Sequence, residues 1–214
     1  MSSGYDTSCT TLSQEGRIYQ LEYAEKAIEN CSTVMGVVFK DGVLLLSEKI
    51  RQSKAIVSGS NPTIYSVSPS IGVAICGLLP DGRNIVSRAK LEAANYLKTY
   101  GIEITGKILT ERLSIYVHAH TCHWGARPFG CCVMISSYEK DNFAIRNKTV
   151  NEGISDALKI LKKSYEGEKE TEYDASVISA ETNGKHRLLD KKVMKDLVAK
   201  LKSSDDNKKM DIDK

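Results

Sequence analysis

The stretch "VMGVVFKDGVLLLSE", from Val34 to Glu48, constrains the fold of this chain more than any other. Two β-rich apolar runs flank an Asp41-Gly42 pair, and Asp-Gly readily takes the positive φ that a type I′ hairpin turn requires. A helix is expected directly ahead of it. Ile18, Leu21, Ala24 and Ile28 recur at helical spacing, while Glu22, Glu25, Lys26 and Glu29 fall largely on other faces. That places a helix over 17–30, with Ser13 upstream as its N-cap. "TIYSVSPSIGVAIC" repeats the hairpin scheme about a Ser-Pro-Ser turn, so four strands come early with no helix between them.

From Pro80 the periodicity changes. Ile85, Ala89, Ala93, Tyr96 and Tyr100 predict one helix, and Ile108, Leu109, Ile115, Tyr116 and Ala119 a second from Gly106 to about His123. "CCVMISSY" and "NFAI" read as strands, and Ile154, Ala157, Leu158, Leu161 and Tyr165 as a helix. A strand near Ala175 to Ala180, a turn at Asn183-Gly184, a short strand near His186 and a last helix through Val193, Leu197 and Leu201 follow. This order is α+β, unlike the strict alternation of a doubly wound sheet. Its simplest packing is two antiparallel sheets face to face with helices outside, a four-layer αββα sandwich.

With 214 residues, 41% of them apolar, the chain can bury a proper core as a single domain over 1–203. The tail 204–214, of alternating charge and little apolar content, is expected to be disordered. Thirty basic and 27 acidic residues are intermixed, so no basic block tracks a nucleic-acid backbone. No apolar run reaches transmembrane length and no secretory signal opens the chain, which leads to an expected location in cytoplasm and nucleus. The six cysteines show no CxxC spacing, so reduced thiols are expected.

Three clusters invite a chemical reading. "HAHTCH" sets His118, His120, Cys122 and His123 at helical contact spacing that could hold zinc, but no carboxylate motif completes the site, and an ordinary helix end is the simpler reading. "CGLLPDGRN" suggests an anion site at a helix start, yet lacks GxGxxG and GKS, leaving Asp81 as a cap with Arg83 on the surface. No GxSxG elbow accompanies His186 or any serine, so no hydrolytic triad is expected. Neither a metal nor a cofactor is called for.

"YDTSCTTLSQEGRIYQLEYAEKAIENCSTVMG" (Tyr5 to Gly36) closely resembles the N-terminal signature of proteasome core-particle α subunits, and "CGLLPDGR" and "ARPFGCC" match two further landmarks in the same order. "YVHAH", "GSN" and "TNGKH" look most like the eukaryotic α7 (α type-3) class. The resemblance implies an N-terminal nucleophile hydrolase-like fold without catalysis. Catalytic relatives begin at a processed threonine activated by its own amine and a lysine. Here the nucleophile position falls on Ser32, which is internal, the acidic partner on Glu48, and the lysine on Thr63, which cannot supply an ammonium.

The same resemblance implies a seven-membered α ring stacked on β rings, with the N-terminal helix on the outer face and residues 1–16 as a gate segment. Tyr5, Asp6 and Tyr23 match gate-stabilising positions, with Gly16 and Arg17 in the same signature. The usual proline of that turn is Gln14, which loses a fixed φ, and Met1 to Gly4 make a short plug. Implied partners are other α subunits, β subunits, regulatory-particle activators and assembly chaperones. The activator pocket should be weak, since its carboxylate-binding lysine is again Thr63. After Ile145 the pattern breaks: a strand and much of a helix are missing, an internal deletion. Alternative readings are a stand-alone N-terminal nucleophile hydrolase processed before Ser32 or Thr33, and a truncated variant that binds assembly factors without entering rings.

Overall fold

A computed structural model of the chain describes residues 4–29, 31–50, 53, 55–57, 59–138, 148–163 and 171–210, the last ten of these by backbone alone. They form two compact units interleaved in sequence, one from 1–32 and 65–137, the other from 33–64 and 138–214.

The unit that begins at Thr33 is built on a four-stranded sheet in the order β1-β2-β6-β7, with β1 Val34–Val38, β2 Gly42–Ile50, β6 Thr171–Ser179 and β7 Arg187–Leu188. All its pairings are antiparallel, with Leu44 opposite Val177 and Leu46 opposite Ala175. Those four side chains share one face by strand alternation. Helix α4 (Val150–Lys163) covers it with Ile154, Ala157, Leu158 and Leu161, and α5 (Lys191–Met210) adds Met194. Full burial of each such side chain stabilises by about 1.5–3 kcal/mol, so this seam holds the unit together.

The expected hairpin is there, but its turn differs. Phe39 N–H donates to Gly42 O at 2.7 Å, so Lys40 and Asp41 are the corner residues, and Gly42 is the first residue of β2 without a positive φ. Its glycine identity serves close approach instead: a Cβ would lie 2.1 Å from Ile178 O on β6. Asp41 is thereby free to accept the N–H of Val150 at 2.8 Å, capping the start of α4.

The second unit carries the sheet β3-β4-β5, with β3 Ile64–Ser68, β4 Ile71–Gly77 and β5 Cys131–Ser137. Ile71, Val73 and Ile75 of β4 meet Ile85, Val86, Ala89 and Ala93 of α2 (Leu79–Tyr100), and Leu109 and Leu113 of α3 (Gly106–Cys122) close the core. Pro80 opens α2 and Gly101 ends it in the left-handed region, φ 73°, with its N–H returned to Leu97 O at 2.9 Å. Helix α1 (Tyr19–Glu29) runs beside β4 and β5 with no fully buried residue.

Two local expectations are corrected. The first helix starts at Tyr19, and Ser13 does not cap it: Ser13 N–H donates to Arg17 O and its Oγ accepts Arg17 N–H, a closed loop ahead of the helix. Asp81 lies inside α2, and the cap residue Leu78 offers no side-chain oxygen. The asparagine-glycine turn is present as expected, with Asn183 at φ 54° and Gly184 at φ 70°, and the short strand β7 follows next to His186. The backbone of α5 is helical to Met210. Residues 211–214, the "NFAI" strand and the proposed deletion point after Ile145 lie outside the described residues.

Candidate functional site

The signature segment is held by backbone groups at both ends. Cys9 is buried, with its Sγ 3.0 Å from His123 O and 3.5 Å from Ala126 O, so the thiol proton is held among the carbonyls of the loop that follows α3. Asp6 contributes its carbonyl to Gln20 Nε2 on α1. Beyond the Ser13 loop, which turns at Gly16, Arg17 makes a two-pronged pair with Glu22, Nε to Oε1 and Nη2 to Oε2, both 2.6 Å. Its guanidinium stands 5.8 Å from the Tyr19 ring, and Tyr19 stacks on Tyr23 at 6.4 Å. Tyr23 keeps half its surface exposed. Exposed Arg17, half-buried Tyr19 and exposed Tyr23 thus form one prearranged surface at the start of α1, while Tyr5 and Asp6 are half-buried on the segment tethered to it.

The two inner landmarks meet at one buried carboxylate. Asp81 is 6% exposed and accepts Arg127 through both of its oxygens at 2.7 Å, and Gly130 N–H at 2.9 Å. The Arg127 bonds, helped by Gly130, hold its carboxyl below the usual range against the opposing effect of burial. This joins "PDGR" to "ARPFG" across the end of α3, where His120 packs on Phe129 at 4.4 Å and Tyr116 on Phe129 at 5.8 Å. His120 therefore faces the aromatic cluster while His118 faces Cys122, and among the described residues no three potential ligands converge on a metal position.

The positions aligned with a catalytic centre are arranged differently from one. Ser32 precedes β1 within the chain, and Thr33 O accepts Glu48 N–H at 2.9 Å. Glu48 stands opposite Tyr173, on the face it shares with Leu46, is 1% exposed, and burial pushes its carboxyl up. Thr63 donates its N–H and hydroxyl to Asp174 Oδ2, both at 3.1 Å, and Lys49 Nζ is 3.7 Å from the same oxygen. Asp174 pairs with Ser47, so it and Lys49 lie on the face opposite Glu48. Glu48 and Thr63 are not brought together. His186 is buried and pushed down to about 4, so it is a neutral core residue at physiological pH.

Lys49, Asp174, Cys9 and the Asp81–Arg127 pair escape a reading of the sequence. Asp174 and Cys9 meet partners more than a hundred residues away, and a solitary Asp or Cys gives no local sign of that. Asp81 and Arg127 each sit in a quotable motif, but Arg83 beside Asp81 leaves no local sign of which arginine it pairs with.

Residues 28–147 match the family model of proteasome subunits, and residues 5–27 match the N-terminal signature of the A-type members of that family. The protein named proteasome subunit α type-3 in Oryza sativa subsp. japonica is 50% identical over 139 residues, 65% of this chain and 56% of that protein. Its namesake in Dictyostelium discoideum is 32% identical over 237 residues, covering 94% of this chain and 96% of that protein. A probable proteasome subunit α type-7 of Schizosaccharomyces pombe is 41% identical over 139 residues, 65% of this chain and 54% of that protein. The alignments with the rice and fission-yeast proteins thus span little more than half of those relatives' length.

Proposed function

Because this chain belongs to the proteasome subunit family and carries its A-type N-terminal signature, we propose that it is a noncatalytic subunit of the α ring of the core particle, of the α type-3 class. The observation that carries this reading is the segment from Tyr5 to Glu29, attached ahead of β1 and fixed by Cys9, Asp6 and the Arg17–Glu22 pair. With that segment in place the Ser32 nitrogen is a peptide nitrogen, so no terminal amine is available to activate its hydroxyl. Thr63, bound to Asp174, offers no ammonium, and Glu48 lies on another face. Its role is then assembly of the ring and control of substrate entry for ubiquitin-dependent degradation in cytoplasm and nucleus. The partners are neighbouring α subunits, the β ring, regulatory activators and assembly chaperones.

The surface made by exposed Arg17 and Tyr23 with Tyr19 between them, with Tyr5 and Asp6 on the tethered segment, supports the gate assignment. The Dictyostelium alignment runs over 237 positions against a chain of 214 residues, so it contains positions where this chain has none. The deletion read after Ile145 is proposed to account for part of that difference. Native mass spectrometry of the tagged chain recovered from its own cells tests the proposal. Recovery with six other α subunits and the β rings, N-terminal segment intact, is expected. Recovery as a monomer, or peptide hydrolysis by the pure chain that Ser32→Ala abolishes, would overturn it.

A further inference from the structure

The described cysteines differ sharply in their surroundings. Cys9 is buried among carbonyls, and burial pushes Cys76 and Cys131 up to about 12. Cys132 is exposed on β5 opposite Cys76, and among the described residues no imidazole is paired with it. Cys122 is different: it ends α3, is exposed, and has its Sγ 3.3 Å from Nε2 of His118, one helical turn earlier.

The hydrogen bonds around His118 give that contact a direction. Thr121 Oγ1 donates its proton to His118 O at 2.7 Å, which leaves its lone pairs for Nδ1 of the same histidine at 3.4 Å. In the tautomer whose Nδ1–H is accepted by Thr121, Nε2 carries the lone pair, and Nε2 faces the thiol. A nucleophile, a base within reach and a group orienting that base are the parts an activated thiol needs.

We propose that Cys122 is a modification site that forms a mixed disulfide with small disulfides of the glutathione class, with His118 as its base and Thr121 as a positioning residue. In the step, His118 Nε2 takes the thiol proton and the Cys122 sulfur forms a bond to one sulfur of the incoming disulfide. The reagent's S–S bond breaks, its electron pair leaves on the second sulfur, and that thiolate takes the proton back from the imidazolium. One disulfide is consumed and one is formed, so no other oxidant enters. The site does not depend on the ring-subunit reading, since all its parts lie on α3.

The experiment treats the full reduced chain with glutathione disulfide at pH 7, quenches by alkylation, and maps the adducts by mass spectrometry over time. Cys122 is expected to be modified first, ahead of Cys132, and Cys122→Ser to lose that first adduct. His118→Asn should slow the Cys122 reaction by about tenfold, the low side of what a positioned base contributes, and steepen its dependence on pH. Thr121→Val should slow it by a smaller factor. All three side chains lie on the surface side of α3, and circular dichroism of each variant establishes that the fold is kept. Earlier modification of Cys132 or Cys31, or a Cys122 rate and pH profile unchanged in His118→Asn, would overturn the proposal.

Discussion

Glu48 and Asp81 are both buried carboxylates, and their neighbours give them opposite effects on stability. Asp81 has a guanidinium and a peptide N–H, so its ionised form is favoured in the fold, and its contribution is full above the unfolded value near 3.8 and lost as pH falls through the folded one. Asp81→Asn should destabilise by about 2 kcal/mol at pH 7, read from the urea midpoint, because it strips the partner from Arg127 and weakens the bond to Gly130. Glu48 has the reverse sign. Its Oε1 is buried with no hydrogen-bond partner among the described residues, and a carboxyl raised by burial costs stability as pH rises from about 4.5 through its folded value. Glu48→Gln should therefore gain about 1 kcal/mol at pH 7.5 and less at pH 5, and equal effects at the two pH values would contradict a buried charge there.

Among the elements, α4 shows what a sequence can convey. Ile154, Ala157, Leu158 and Leu161 were legible as one face because helical period alone selects them, and they are the residues that meet Leu44, Leu46, Ala175 and Val177. Leu158→Ala should cost about 3 kcal/mol in chemical unfolding, whereas Ile160→Ala, on the exposed side of the same helix, should cost under about 0.5 kcal/mol. Strand pairs and helices with strong periodicity were readable for the same reason. Turn detail was not: Asp41-Gly42 signals a corner, but the corner fell one residue earlier, because Gly42 is needed where β6 comes close and Asp41 where α4 begins. Both demands come from residues over a hundred positions downstream. The candidate site divides likewise: Arg17, Tyr23 and the landmarks stood out as motifs, while the partners of Asp174, Thr63 and Cys9 depend on tertiary approach.

At the scale of the whole molecule, each unit is assembled from two separated lengths of chain. The unit containing β2 is interrupted by residues 65–137, and its central ladder pairs Ile50 with Thr171 and Gly42 with Ser179. Such non-local pairing predicts slow refolding after dilution from urea, with protection of β4 amides from hydrogen exchange recovering earlier than that of β2 amides, because β4 pairs with the nearer β5. Simultaneous recovery would mean that the two units form as one. During synthesis the order has a sharper meaning. The Leu44-Leu45-Leu46 core of β2 leaves the ribosome on the order of ten seconds before β6 exists to cover it, at ~10 residues per second. For that interval the edge of β2 that β6 will take, and the apolar run from Val43 to Leu46 beside it, stay open to the cell, so the yield is set by whatever shields that edge as much as by the stability of the finished fold.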